Sequence, residues 1–109
     1  MKTQEIVKEL QELKNEVKTT QVNYEKVSSQ YIETMDLFEK AKIKYVDPDI
    51  RDSAEKQMMR VMKESKDIEK LFLDMEIFRR KRDTYAKKLD YLKEQIKILT
   101  SLLYLEKGE

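Results

Sequence analysis

A regular alternation of four- and three-residue steps between apolar side chains most constrains what this chain can fold into. The pattern runs without a break from residue 6 to residue 45. Its positions are Ile6, Leu10, Leu13, Val17, Thr20, Tyr24, Val27, Tyr31, Thr34, Phe38, Ala41 and Tyr45. Large rings alternate with small residues in its second half, as close packing between two helices requires. The spacing predicts a long helix at about 3–45 that packs in a coiled coil.

A second seam with the same spacing occupies the rest of the chain. Its positions are Ile50, Ala54, Gln57, Val61, Glu64, Ile68, Leu71, Met75, Phe78, Arg82, Tyr85, Leu89, Leu92, Ile96, Leu99 and Leu103. Gln57, Glu64 and Arg82 interrupt the apolar set, and we expect them to reach the edge of the seam or to pair with a neighbour. The pattern predicts a second helix at about 48–106.

The two seams are out of phase with each other where the chain passes its single proline. After Tyr45 the next position a of the heptad is Ala54, nine residues later instead of seven. This is an insertion of two residues, whereas coiled coils absorb insertions of three or four. Asp47 suits an N-cap and Pro48 the first helical position, although residues 52–55 also have a capping pattern. The sequence predicts an all-α fold: an antiparallel two-helix hairpin, in one domain of residues 1–109, with its turn at 46–49. A continuous kinked helix is the alternative.

The composition removes most catalytic chemistry. The chain has no Cys and no His, and its 23 basic and 22 acidic residues leave a formal charge of +1. Thiol or imidazole catalysis and an ordinary zinc site are therefore excluded. We expect no enzymatic activity, no cofactor and no metal. With no signal peptide and no apolar run long enough to span a bilayer, we expect a cytoplasmic protein that does not contact membrane.

The unequal lengths of the two expected helices predict an exposed apolar end. If residue i pairs with about 95 − i, Ile6 meets Leu89, and residues 93–105 project about 20 Å beyond helix one. Such a surface is typical of a binding site. The expected partner-binding residues are Ile96, Leu99, Leu102, Leu103, Tyr104 and Leu105, with Met58 and Met62 as a second patch. A second copy of the chain, forming a homodimer, or another protein would complete a four-helix bundle.

These features favour a protein–protein interaction module that acts as an adaptor, chaperone or inhibitor. The first alternative is a structural coiled-coil subunit of a phage, secretion or cytoskeletal assembly. The second is weak nucleic-acid binding through residues 79–97. Phosphate contacts would come from Arg79, Arg80, Lys81, Lys87 and Lys88. Consecutive basic residues spread around a helix, however, so a solvated surface explains them better.

Overall fold

A computed structural model describes residues 2–108 of the chain, and it confirms the all-helical prediction. Helix makes up 91% of the structure, and the described residues contain no strand. The helices are α1 (Thr3–Tyr45), α2 (Ala54–Glu64) and α3 (Lys66–Gly108). Contacts divide them into two units, of which the first combines residues 2–26 with residues 82–108 and the second is Val27–Lys81. None of the described helices is both long enough and apolar enough to cross a membrane.

The turn after α1 is longer than the sequence predicted, and Pro48 belongs to it rather than to a helix. The Ile50 amide donates to the Asp47 carbonyl oxygen, and the Asp49 amide donates to Asp47 Oδ1. Asp47 and Pro48 are thus the first two residues of a β-turn, positions that both residue types favour. Helix formation resumes only at Ala54, where the hydroxyl of Ser53 accepts the Lys56 amide. The helix start predicted near residue 48 is therefore wrong.

Ser65 divides the second helix of the prediction into α2 and α3. Its backbone is extended, with φ −118 and ψ 108. The Ser65 amide donates to the Val61 carbonyl oxygen and so ends α2, while the Ser65 hydroxyl accepts the Ile68 amide and so begins α3. Asp67 and Glu69 stabilise the first turn of α3 because negative charge is favourable at a helix N-terminus.

The division at Ser65 makes the two long helices equal, with 43 residues each. The predicted difference in length is therefore wrong. The eight-residue connection at 46–53 and the separate helix α2 displace the pairing by ten positions, so that Ile6 contacts Leu99 instead of Leu89. Residues 93–105 consequently do not project as an unpaired end.

In the first unit, the start of α1 packs against the end of α3. Ile6, Leu10 and Leu99 form a buried cluster, and Leu13, Ile96 and Leu103 pack against it. Further along α1, Glu16 approaches Lys88 with 3.9 Å between the carboxylate oxygen and Nζ. As the residue number in α1 increases, the number of the α3 residue that it contacts therefore decreases.

In the second unit, three helical segments share one apolar cluster. Phe38 and Ala41 of α1 surround Met58 of α2, which is only 2% exposed. The cluster is completed by Val46, Met62, Ile68, Leu71, Phe72 and Met75. The rings of Phe38 and Phe72 lie 5.5 Å apart and are tilted by 46°, a favourable arrangement for two aromatic side chains.

Candidate functional site

Gln57 holds the connection between α1 and α2 in place. It is a buried polar residue, and its side chain makes three hydrogen bonds. Its Oε1 accepts the Asp47 amide at 2.8 Å, and its Nε2 donates to the carbonyl oxygens of Asp47 and Asp52, both at 3.0 Å. The sequence analysis expected Gln57 to reach the edge of its seam or to pair with a neighbour, and the second alternative is the one observed. Its side chain satisfies backbone groups of the turn, which is what makes its burial tolerable.

The methionine patch expected at 58 and 62 is largely internal. Met58 is buried and Met62 is half-buried against the same cluster, so both contribute mainly to the core of the second unit. The more exposed methionine of α2 is Met59. It lines a groove of about 350 Å³ together with Phe38, Lys42, Glu55, Met58, Met62 and Phe72. This groove has room for one large apolar side chain and has one charge of each sign at its rim.

The six residues expected at the end of α3 divide into two sets. Ile96, Leu99 and Leu103 face α1 and pack on Ile6 and Leu10, which makes them part of the core. Leu102, Tyr104 and Leu105 remain exposed. Only three of the six expected contact residues are therefore exposed to a partner, because the other three pack against α1.

The exposed side of α3 carries a stripe of which the sequence analysis named only Leu102 and Leu105 as partner-binding residues. Tyr91, Ile98, Leu102 and Leu105 recur at steps of seven, four and three residues, which places them on one side of the helix. We call these four residues the outer stripe. Their exposed fractions are 63%, 46%, 39% and 68%. Tyr91 and Ile98 directly precede the seam residues Leu92 and Leu99. The same heptad spacing, applied to the preceding positions, would have indicated them.

The basic residues proposed as phosphate contacts are divided between the two units. Arg79, Arg80 and Lys81 belong to the second unit, whereas Lys87 and Lys88 belong to the first. The Arg79 guanidinium donates to Glu76 at 2.7 Å, and Lys88 approaches Glu16. The hydrogen bond from Arg79 holds the pKa of the Glu76 carboxyl below its ordinary value. Two of the five proposed contacts, Arg79 and Lys88, thus have an acidic neighbour.

A groove of about 410 Å³ lies between α1 and α3 in the first unit, next to the outer stripe. It is lined by Glu9, Glu12, Leu13, Glu16, Tyr91, Leu92, Gln95 and Leu99. Its floor is apolar, one wall carries three carboxylates and the other wall carries Tyr91 and Gln95. Among the described residues, no group of acidic side chains has the arrangement needed to hold a metal ion.

Comparisons with family models, with curated proteins and with solved structures give no match to this chain. The function is therefore inferred from the geometry and composition of the chain itself.

Proposed function

We propose that the chain is a non-enzymatic protein–protein interaction module that docks other helices through exposed apolar stripes, as an adaptor, chaperone or inhibitor does. In this proposal the two long helices form an antiparallel coiled-coil hairpin. A partner helix then completes a larger helical bundle around the first unit.

The outer stripe is the observation that carries this proposal. Single exposed apolar residues are common on soluble proteins and need no explanation. Four of them aligned on one side of a helix, adjacent to a groove with an apolar floor, resemble the stripe that a bundle helix offers to its neighbours. The seam of the same helix is already filled by α1 through Ile96, Leu99 and Leu103. The outer stripe is therefore additional apolar surface that intramolecular packing leaves uncovered.

Two features of the composition support a role without catalysis. The sequence contains neither His nor Cys, the side chains that most often act as a base or nucleophile near neutral pH. Its single Gly is residue 108, so no glycine-rich phosphate loop can form.

The test is site-specific photo-crosslinking in the cells that express the protein. A photoreactive amino acid replaces Leu102 in one variant and Asp90, an exposed residue of the same helix outside the stripe, in another. We expect a discrete covalent adduct from position 102 and none from position 90. No adduct at position 102, or equal adducts at both positions, would contradict the proposal.

A further inference from the structure

The groove of the first unit carries a charge pattern that specifies what can dock there. Glu5, Glu9, Glu12 and Glu16 follow one another at steps of four, three and four residues and so form a row on one side of α1. Three of the four line the groove. We call these four residues the acidic row. It extends for about 16 Å at the usual helical rise.

The row is mostly unneutralised. Within residues 2–108, no ion pair involves Glu9 or Glu12, and Glu16 has only the 3.9 Å approach of Lys88. All four glutamates are exposed. The carboxylates of Glu9, Glu12 and Glu16 therefore place negative charge along one wall of a groove with an apolar floor, and Tyr91, the first residue of the outer stripe, lies on the opposite wall.

Resting on the function proposed above, we infer that this groove binds an amphipathic helix of another protein that carries Lys or Arg beside its apolar stripe. The outer stripe supplies the apolar contact, and the acidic row pairs with the cations. The outer stripe is about 21 Å long, from Tyr91 to Leu105, which corresponds to a partner helix of about 14 residues. Apolar anchors with flanking opposite charges fix both the register and the orientation of a docked helix.

Charge also argues against a second copy of this chain as the occupant. A symmetric dimer brings the same surface of two copies together. The acidic row and the lining of the groove contain no basic residue, so two copies joined at this surface would bring eight glutamates into one interface with no cation from these residues to pair with them. Like-charge contact is unfavourable across an interface.

Two synthetic helices of about 18 residues test the inference against the full chain, by fluorescence anisotropy. Both have leucines at heptad positions a and d, and they differ only in carrying lysines or glutamates at the flanking positions. We expect the lysine peptide to bind about tenfold more tightly than the glutamate peptide at low salt, since several weak pairs act together. At about 1 M salt the difference should fall to about twofold.

A matched pair of charge reversals locates the effect. The double substitution Glu9→Lys and Glu12→Lys should reverse the preference, so that the glutamate peptide binds more tightly. The control Glu33→Lys and Asp36→Lys changes the net charge by the same amount at exposed positions of α1 in the second unit, outside both the groove and the outer stripe. We expect this control to bind as the unmodified chain does. Equal effects of the two double variants would overturn the assignment to the groove.

The remaining outcomes separate this inference from the proposed function. If both peptides bind equally and Leu102→Asp abolishes both, the apolar docking function stands and the basic partner is refuted. If neither peptide binds while the chain dimerises in a way that Leu102→Asp prevents, the occupant is a second copy and the inference is overturned. If neither peptide binds and photo-crosslinking at Leu102 also yields no adduct, the proposed function fails as well.

Discussion

Two leucines three positions apart in α3 provide a matched test of which side of this helix packs against α1. Leu99 is 9% exposed and packs with Ile6 and Leu10, whereas Leu102 is 39% exposed on the outer stripe. Replacing either leucine by alanine removes the same atoms and leaves a good helix former. The two variants therefore differ only in what surrounds the deleted atoms.

The expected magnitudes follow from burial. Leu99→Ala leaves a cavity against Ile6 and Leu10, and replacing a buried leucine by alanine costs 2–5 kcal/mol in general. Because this cluster is small and can partly collapse, we expect about 3 kcal/mol for Leu99→Ala. Leu102→Ala deletes atoms that are largely in contact with water, and we expect a loss below about 1 kcal/mol.

Urea unfolding followed by circular dichroism at 222 nm measures both free energies of unfolding. A lower midpoint with an unchanged slope would show that stability, and not the extent of unfolding, has changed. Equal effects of Leu99→Ala and Leu102→Ala would contradict the packing of Leu99 against α1, because an unpaired end of α3 would make the two positions equivalent.

Three further predictions concern the turn, an ion pair and the end of α3. Gln57→Leu leaves the Asp47 amide and two carbonyl oxygens without their partner, and calorimetry should show a loss of about 2–3 kcal/mol; an unchanged melting temperature would contradict the role given to Gln57. Because Arg79 lowers the pKa of Glu76, their pair stabilises the fold above about pH 4.3, the ordinary Glu value, and this contribution disappears as pH falls through the lowered pKa. In chemical unfolding, Glu76→Gln should cost about 0.5 kcal/mol at pH 7 and progressively less as the pH is lowered and the Glu76 carboxyl becomes protonated; a cost independent of pH would disprove this. Deleting residues 92–109 should expose Ile6 and reduce the helicity of residues 3–20 in hydrogen exchange, whereas full protection there would contradict the packing of the first unit.

The sequence predicted the inward faces of the long helices well. Every seam position from Ile6 to Ala41 is buried or half-buried, as is every one from Ile68 to Leu103. A heptad pattern reports which side of a helix is covered, and burial of a stripe is a local property of that helix. The pattern does not report which residue of the other helix covers it, because neighbouring heptads are nearly equivalent.

The errors in pairing and in the site have one origin, the interval from 46 to 65. The spacing from Val61 through Glu64 to Ile68 continued the heptad across Ser65, so the break between α2 and α3 was not predicted. A glutamate at a seam position, followed by Ser65 and an acidic first turn, was the available signal. Because the break at Ser65 was not predicted, helix two was predicted to be too long. Leu99 was then assigned to a binding surface, although its side chain belongs to the core.

The acidic row was visible in the sequence but had no meaning without the pairing. Glutamates four and three residues apart on a helix are ordinarily a solvated face. Only the contact between α1 and α3 places Glu9, Glu12 and Glu16 opposite Tyr91 and thereby forms a groove with an apolar floor. The position of the acidic row relative to the outer stripe depends on tertiary structure, which periodicity alone does not fix.

The native mass of the protein, measured by light scattering after gentle lysis of the cells that express it, shows whether a partner occupies the outer stripe. We expect a complex clearly heavier than the 13.2 kDa monomer. The variant with Leu102→Asp and Leu105→Asp should be a folded monomer, while the variant with Glu33→Lys and Asp36→Lys should retain the complex. A 13.2 kDa monomer for the unmodified chain, or a complex that tolerates two aspartates in the outer stripe, would contradict the claim that this stripe is where the protein meets its partner.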